Sequence, residues 1–454
     1  MIKSWTWISI CIAALFLTAT TAQAGVSAEE AAKLGGELTP MGAIKAGNDA
    51  GTIPEWTGGI TEAPANFKPG TRHPDPFAGD KILFTITADN MNDYKDQLSP
   101  GQIAMFNRYP DTWKMHVYPT RRSASNPQRI YDAAIRNAST AELSEGGNGV
   151  LNASEAVPFP IPKVGVETIW NHLMRYRGEA IYRIYTQAAP TAGGAYTPVT
   201  IEEKIYLPYS NPGATTETIN NRLLYFMQTV KAPARLAGQL LLVHETLDQV
   251  KEARKAWTYN PGQRRVRRAP NVAYDNPGTA SDGQRTSDSL DMFNGAPDRY
   301  EWKLAGRKEM YVPYNNYQLH SGGLKYKDIL QPGHIDPDNC RYELHRVWVT
   351  DATLREGTSH VYARRTFYFD EDSWQALVVD QYDGRGQIWR ISEGYAINYY
   401  DKLVTGPTLE AHYDLQNGRY IALGMTNEDL LWDFNVEFDL DDFTPNAIRG
   451  AGLR

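Results

Sequence analysis

The chain is poor in cysteine, with two in 454 residues. Cys11 lies in an apolar N-terminal stretch, and Cys340 is the only cysteine after it. If that stretch is removed, no internal disulfide can form, which excludes a disulfide-stabilised scaffold. Cys340 is not placed near a predicted helix N-terminus that would activate its thiol. We interpret it as a small residue at the start of a strand, not as a nucleophile.

Long hydrophobic runs are also lacking beyond the N-terminus, where no run approaches the roughly 18 residues of a spanning helix. At the N-terminus, a positive Met1–Lys3 precedes the apolar Trp5–Leu17, and Ala22–Ala24 reads A-x-A. This pattern predicts a signal peptide over residues 1–24, cleaved after Ala24 and without a lipidated cysteine. An N-terminal membrane anchor is the alternative. The sequence thus indicates a bacterial periplasmic protein.

No strong excess of one charge is present, since 46 Lys and Arg oppose 53 Asp and Glu. This mild acidity argues against a nucleic-acid partner. The sequence has no G-x-S-x-G, no G-x-G-x-x-G after a strand and no P-loop. We therefore expect neither an enzyme nor a bound cofactor.

Metal-binding patterns are weak. His244-Glu245 begins like a zinc-protease helix, but position 248 is Asp248 and the surrounding run is typical of a strand. The acidic triplet Asp370–Asp372 and the pair at 336 and 338 could hold calcium. Neither has the spaced ligand loop of a calcium site, so we expect polar turns and no metal.

Aromatic residues are abundant, at 11% with 27 Tyr and 11 Trp. Four runs rich in aromatic and β-branched residues predict an antiparallel meander, with a hairpin turn at Asp383–Gly386. Two turn lengths fit there, which leaves the register of the third strand open. The predicted strands are Arg346–Thr350, Ser359–Phe369, Trp374–Tyr382 and Gln387–Tyr400.

Six further strands are predicted between residues 180 and 268, and helices are predicted mainly towards the N-terminus. Helices and strands do not alternate, so a parallel α/β sheet is excluded and a mainly β (α+β) antiparallel fold is favoured. We expect residues 25–163 to be a helical and loop region packed on a sheet of residues 164–454, as one integrated domain. The strands are Ala180–Gln187, Thr197–Leu207, Arg222–Lys231, Gly238–Thr246, Ala253–Tyr259 and Arg264–Arg268.

Large apolar side chains on these strands outnumber the helices that could cover them. A filled core is the simpler interpretation, but an incompletely covered curved sheet would leave an apolar groove for a hydrophobic ligand. The candidate ligand-binding residues are Tyr225, Met227, Leu240, Leu242, Trp257, Tyr259, Phe367, Phe369, Trp374 and Trp389.

A basic run interrupts this acidic chain, with arginines on both faces of one predicted strand. Solvated arginines paired with carboxylates are the simpler interpretation. The functional one is a rim that meets anionic head groups or an acidic partner surface. These residues are Arg264, Arg265, Arg267 and Arg268.

Several segments carry a family resemblance: the opening after the signal peptide, WTYNPGQRRVRR at Trp257–Arg268 and DSWQALVVDQYDGRGQIWR at Asp372–Arg390. They resemble the domain-of-unknown-function 1329 family of periplasmic proteins. The second and third also resemble the wider LolA/LolB-like lipoprotein-carrier superfamily. The likeness implies a strongly curved antiparallel half-barrel, with helices as a lid over an apolar cavity that binds acyl chains and has no catalytic residues. It also implies an association with exporters of the resistance-nodulation-division (RND) type. Residues 38–163 have no counterpart in the small carriers.

The function favoured by these observations is a periplasmic carrier of lipid or another hydrophobic molecule. Candidate partners are an RND-type exporter or an outer-membrane protein. The alternative is a glycan-binding or structural envelope protein without catalysis, because Trp and Tyr also stack on sugars. An outer-membrane barrel is disfavoured by the interleaved helices, and an enzyme by the lack of a catalytic constellation.

Overall fold

The computed structural model describes residues 25–451. Its strands in chain order are β1 (Phe84–Ile86), β2 (Met115–Val117), β3 (Glu142–Leu143), β4 (Val150–Leu151), β5 (Ala180–Ala188), β6 (Val199–Tyr206), β7 (Arg222–Ala232), β8 (Leu240–Thr246), β9 (Lys255–Asn260), β10 (Arg265–Arg268), β11 (Tyr300–Pro313), β12 (Tyr342–Leu354), β13 (Arg364–Asp370), β14 (Ala376–Tyr382), β15 (Ile388–Tyr399), β16 (Val404–Asp414) and β17 (Arg419–Met425).

Fifteen of these strands form one open sheet, in the order β1-β2-β12-β13-β14-β15-β16-β17-β5-β6-β7-β8-β9-β10, with β11 on the other edge of β12. All its pairings are antiparallel except a single parallel bridge between Val117 and Tyr342. The strands β3 and β4 pair separately as a hairpin. The predicted mainly β, antiparallel fold is confirmed.

The helices are short: α1 (Ala28–Ala31), α2 (Pro100–Arg108), α3 (Gln128–Thr140), α4 (Gly165–Met174), α5 (Thr216–Ile219), α6 (Tyr317–His320), α7 (Tyr326–Ile329) and α8 (Pro445–Ala451). The start of α2 follows directly from the sequence. The Ser99 hydroxyl accepts a hydrogen bond from the Gln102 amide at 3.1 Å, and the Gln102 side chain accepts one from the Ser99 amide at 3.0 Å. Among residues 25–451, no helix has the length and apolar character that crossing a membrane requires.

The predicted meander is present as β12 to β15. The strand that pairs with the free edge of β12 is longer than predicted. The sequence predicts two brief extended pieces, at 302–304 and 310–313, whereas the structure has one strand, β11, which pairs with β12 throughout. A register shift between Leu304 and Gly306 interrupts the pairing, and Gly306 has φ +104°. A glycine in this conformation is typical of a β-bulge, which explains why the sequence resembled two short strands.

The strands β11 to β17 form what we call the meander half of the sheet. Nearly every residue of β13 to β17 is buried, on both faces. On one face Phe367 and Phe369 share a cluster with Trp170 of α4, and on the other Tyr368 shares one with Phe106 of α2. Helices from the N-terminal region therefore cover both sides of this half.

The strands β5 to β10 form the groove half, where burial is less complete. In β6, buried and half-buried residues alternate strictly, as in a sheet that is covered well on one face only. The two halves meet at β17 and β5 through just two paired positions, Ala422 with Ala188 and Met425 with Thr186. The predicted signal peptide, residues 1–24, lies outside the described residues.

Candidate functional site

A groove runs across one face of the groove half. Strand register places Ile181 of β5 beside Ile205 of β6, Ile205 beside Phe226 of β7, and Phe226 beside Val243 of β8. Because side chains on neighbouring strands share a face when their residues are paired, these four form a continuous apolar row. This row is the floor of the groove.

Two loop segments border the groove. One is the segment before β11, which contributes Leu290 and Asn294. The other is residues 427–439, which we call the C-terminal strap and which contributes Trp432 and Phe434. Asp433 anchors this strap, since its amide and carbonyl exchange hydrogen bonds with the backbone of Tyr182 at 2.8 and 2.9 Å.

Aromatic and cationic contacts hold the strap over the groove. The Trp432 ring stacks on Tyr399, with ring centres 5.1 Å apart, and the Arg183 guanidinium lies 4.5 Å from the Trp432 ring centre. Both Trp432 and Phe434 are only half-buried. The start of the strap is fixed by side-chain hydrogen bonds as well, since Asp429 accepts from the Thr186 and Tyr326 hydroxyl groups, both at 2.7 Å. Residues 430–436 have fewer attachments, namely the Asp433 bridge, the ring contacts and a hydrogen bond from Lys402 to Asn435 at 2.7 Å.

The groove is elongated and narrow. The space that water could occupy is about 60 Å³ in the part beside Trp432 and about 40 Å³ in the part beside Arg285. The two parts are continuous, because Leu224, Phe226 and Leu290 line both. Most of the lining is apolar, and polar groups cluster at the two ends. The lining matches a long hydrophobic molecule with a few polar groups, and the groove must widen to hold one.

Near the strap, the polar end is an ion-pair network. Arg175 and Arg177 donate to separate oxygens of Asp291, at 2.5 and 2.8 Å. Burial alone would raise the pKa of Asp291, but the two guanidinium groups lower it well below the usual value. Burial lowers the pKa of Arg177 to about 10 and that of the neighbouring His172 to about 3. The network is therefore charged at Asp291 and neutral at His172 near pH 7.

The other end of the groove holds polar side chains that are less completely satisfied. Gln228 donates from Nε2 to Glu203 at 2.7 Å, while its Oε1 is buried without a hydrogen-bond partner. Arg285 is 3% exposed, and its Nε also lacks a partner. Buried polar groups are normally satisfied, so these atoms mark a place that suits a polar ligand group.

The ten predicted ligand-binding residues do not lie on one surface. Six of them share the face opposite the groove, where the C-terminal residues Phe443 and Ile448 cover them. Phe367, Phe369 and Trp374 lie in the core of the meander half. Ligand binding by these residues stays a prediction, and their packing gives it no support. The six are Tyr225, Met227, Leu240, Leu242, Trp257 and Tyr259.

Trp389 is separate from the other nine. It is half-buried, donates from Nε1 to Asp414 at 3.0 Å and packs edge-on against Tyr362 at 5.5 Å. Trp374 has φ +61° in the turn after β13 and donates from Nε1 to the Met41 carbonyl at 2.8 Å. Both indole N–H groups thus donate hydrogen bonds within the protein.

The basic run forms β10, which is the last strand of the sheet. All four arginines are exposed, and none makes an ion pair with a carboxylate of the described residues. The Arg268 guanidinium lies 5.0 Å from the ring centre of Trp257. The structure therefore does not show the expected pairing of these arginines with carboxylates. A docking role for Arg264, Arg265, Arg267 and Arg268 stays a prediction.

The acidic triplet lies in a buried charge network. Ligand atoms of His345, Asp370 and Asp372 lie within 4.8 Å of one another, so these three could hold a metal ion. However, Arg122 donates to both oxygens of Asp372, at 2.8 and 2.7 Å. His244 lies with its Nε2 2.7 Å from the Phe443 carbonyl oxygen and is thereby occupied in holding the C-terminus.

Sequence reasoning missed the groove because both faces of β7 and β8 are apolar. The runs from Leu223 to Met227 and from Leu240 to Val243 have large hydrophobic residues at odd and even positions alike. Periodicity therefore could not decide which face is covered by protein. The covering segment is the acidic C-terminus, which has no strong helical or strand pattern. The clearest sequence signal of the groove face is the presence of two polar residues, Gln228 and Arg183, on otherwise largely apolar strands.

A family model described as "Protein of unknown function (DUF1329)" matches residues 85–449. The chain belongs to this family. A relative from Pseudomonas aeruginosa, "Uncharacterized protein PA3922", is 54% identical over 444 residues, covering 98% of each chain. The family resemblance of the sequence segments is confirmed.

Two solved structures are similar over part of the chain. A DUF1329 family protein from Desulfovibrio piger is 14% identical, covers 60% of this chain and 92% of its own, and has a TM-score of 0.41. A LolA superfamily protein, NE2245 from Nitrosomonas europaea, is 12% identical, covers 63% of this chain and 100% of its own, and has a TM-score of 0.38.

Proposed function

We propose that this protein binds and carries a lipid or another hydrophobic molecule in the periplasm, and that the binding site is the groove lined by Leu224 and Phe226. The observation that supports the proposal most is the continuous apolar row across four strands, bordered by loops rather than filled by a helix. Each buried methylene of a ligand would contribute about 0.8 kcal/mol there.

For a ligand to enter the groove, the C-terminal strap must move. The groove is narrow while Trp432 lies against Tyr399, whereas displacing Trp432 and Phe434 would open one whole side. We therefore infer that the strap closes over a bound chain and that its aromatic rings contact the ligand. Binding should then restrict the strap, which limited proteolysis between 427 and 439 would detect.

The proposal is tested by thermal denaturation of the protein in the presence of phospholipids and of saturated alcohols of increasing chain length. A ligand that binds only the folded state raises the melting temperature with concentration. We expect the shift to grow with chain length until the groove is full. No dependence on chain length in either series would contradict the proposal.

Matched variants locate the site. Leu224→Trp places a large ring in the groove and should abolish the ligand-induced shift. Leu242→Trp places the same ring on the opposite face, under Phe443. The ligand-induced shift of this variant, measured relative to its own ligand-free form, should equal that of the parent protein. The reverse result would assign binding to the face that contains Tyr225 and Trp257.

The exposed arginines of β10 support a further part of the proposal, namely docking to an anionic surface. Unpaired exposed guanidinium groups at a sheet edge attract anionic head groups or an acidic partner. The family resemblance implies an RND-type exporter as the partner, and an outer-membrane protein is the other candidate. Both partnerships stay predictions. Co-purification from the envelope fraction, with and without the four arginines, would test it.

A further inference from the structure

A buried arginine without a carboxylate partner lies in the groove. Arg285 is 3% exposed and lines the part of the groove next to Gln228 and Val243. Among the described residues its side chain makes one hydrogen bond, from Nη1 to the Thr286 carbonyl oxygen at 3.2 Å, and its Nε is unsatisfied. No acidic oxygen of residues 25–451 lies within ion-pair distance of it.

The surrounding carboxylates are engaged elsewhere, which leaves the Arg285 charge without compensation. Three nearby acidic groups each have an arginine of their own, and Glu410 accepts from the Met292 amide at 3.2 Å and faces His412. The pairs are Glu203 with Arg183, Glu245 with Arg254, and Asp288 with Arg365. Burying an unpaired cation is costly, and proteins normally pair such charges.

The absence of a side chain at Gly278 makes room for the guanidinium itself. A Cβ atom added at Gly278 would meet Arg285 Nη1 at 2.5 Å, so a side chain at this position would push the guanidinium aside. Gln228 adds a second unsatisfied polar atom, Oε1, to the same end of the groove. Together they offer a cationic fork and an acceptor beside an apolar channel.

We propose that the groove takes an anionic amphiphile, with the carboxylate or phosphate group of the ligand paired to Arg285 and its hydrocarbon chain along Phe226 towards Trp432. This rests on the proposed hydrophobic-ligand function and adds the chemical class of the ligand. A guanidinium donates two parallel hydrogen bonds to a carboxylate or phosphate, which matches the unsatisfied Nε. A protonated phosphate oxygen could also donate to Gln228 Oε1, whereas a carboxylate could not.

The test compares ligands of equal chain length: dodecanoate, dodecyl phosphate and dodecanol. Binding of each to the purified protein is measured by isothermal titration calorimetry. We expect both anions to bind at least tenfold more tightly than the alcohol, and the anion that binds more tightly identifies the head group. Equal affinity for all three would overturn the anionic-head inference while leaving the hydrophobic-ligand function intact. No binding of any of the three would contradict both.

Variants assign the preference to one side chain. Arg285→Gln should lower the affinity for both anions at least tenfold and leave the affinity for dodecanol within about twofold. Arg285→Lys, which keeps the charge but not the fork, should restore part of the preference. Arg385→Gln, in the exposed hairpin turn between β14 and β15, is the matched control and should change nothing. If Arg285→Gln does not fold, the comparison of the three ligands on the parent protein still decides the question. Retention of the full anion preference in folded Arg285→Gln would overturn the assignment.

Discussion

The two halves of the sheet contain similar hydrophobic strands but differ in what covers them. In the meander half, helices α2 and α4 pack on opposite faces, and β14 is buried at every position. In the groove half, one face is sealed by the C-terminal residues around Phe443, and the other is bordered by loops and by residues of β15 and β16. The number of hydrophobic residues on the strands therefore does not by itself locate a binding site. The covering segments decide it.

The largest expected difference between the halves is in core truncation. Phe367 of the meander half is fully buried, so Phe367→Ala should destabilise by about 4 kcal/mol. Phe226→Ala should cost roughly half as much, because one side of Phe226 faces the groove. Chemical denaturation of both variants beside the parent protein measures this. Equal losses would show that the groove is as tightly packed as the meander.

A second difference concerns a polar residue in the meander half. Asp380 is fully buried and accepts hydrogen bonds from the Ser99 hydroxyl at 2.9 Å and the Gly101 amide at 3.1 Å. Burial raises the pKa of Asp380 from its ordinary value of 3.8 to about 7. The folded state thus holds a proton that the unfolded state releases, so stability is lost as pH rises from about 4 through 7.

Asp380→Asn removes this titration. We expect the stability of the variant to depend less on pH between 4 and 8, and its free energy of unfolding to exceed that of the parent by about 4 kcal/mol at pH 8. Melting temperatures across the pH series check the prediction. A variant that follows the pH profile of the parent would show that Asp380 does not bind the proton.

A smaller effect compares the two faces of the groove half. Leu242→Trp should cost about 2 kcal/mol, because the added ring has no room under the C-terminal residues. Leu224→Trp should cost less than about 1 kcal/mol, because the ring can enter the groove. Thermal unfolding of the ligand-free variants distinguishes them. A greater loss for Leu224→Trp would mean that the groove is closed in solution.

The smallest effect on stability is expected at the edge strand β10. Changing Arg264, Arg265, Arg267 and Arg268 to Gln should alter stability by less than about 0.5 kcal/mol, since all four are exposed. Binding to vesicles that contain anionic lipid should weaken at low salt, and raising the salt should remove the difference because exposed charges are screened beyond about 10 Å. Unchanged vesicle binding at low salt would show that these arginines are only solvated.

Strand positions could be predicted well where turns and aromatic runs were distinct. The meander strands and the six strands of the groove half were found from their sequence patterns, although β13 begins at Arg364 and not at Ser359. β11 was missed as one strand because of its bulge at Gly306. The ligand face could not be predicted, because the residue pattern of β7 is apolar on both faces and the cover comes from a segment about 200 residues later.

The central claim is that a hydrophobic ligand lies in the groove beneath Trp432. Quenching of tryptophan fluorescence by a brominated fatty acid tests it directly, with Trp432→Phe and Trp257→Phe as matched variants, because bromine quenches only nearby indoles. Trp432 borders the groove, and Trp257 lies on the opposite face. We predict that Trp432→Phe removes most of the quenching and Trp257→Phe removes little. Quenching that depends on Trp257 and not on Trp432 would contradict the account.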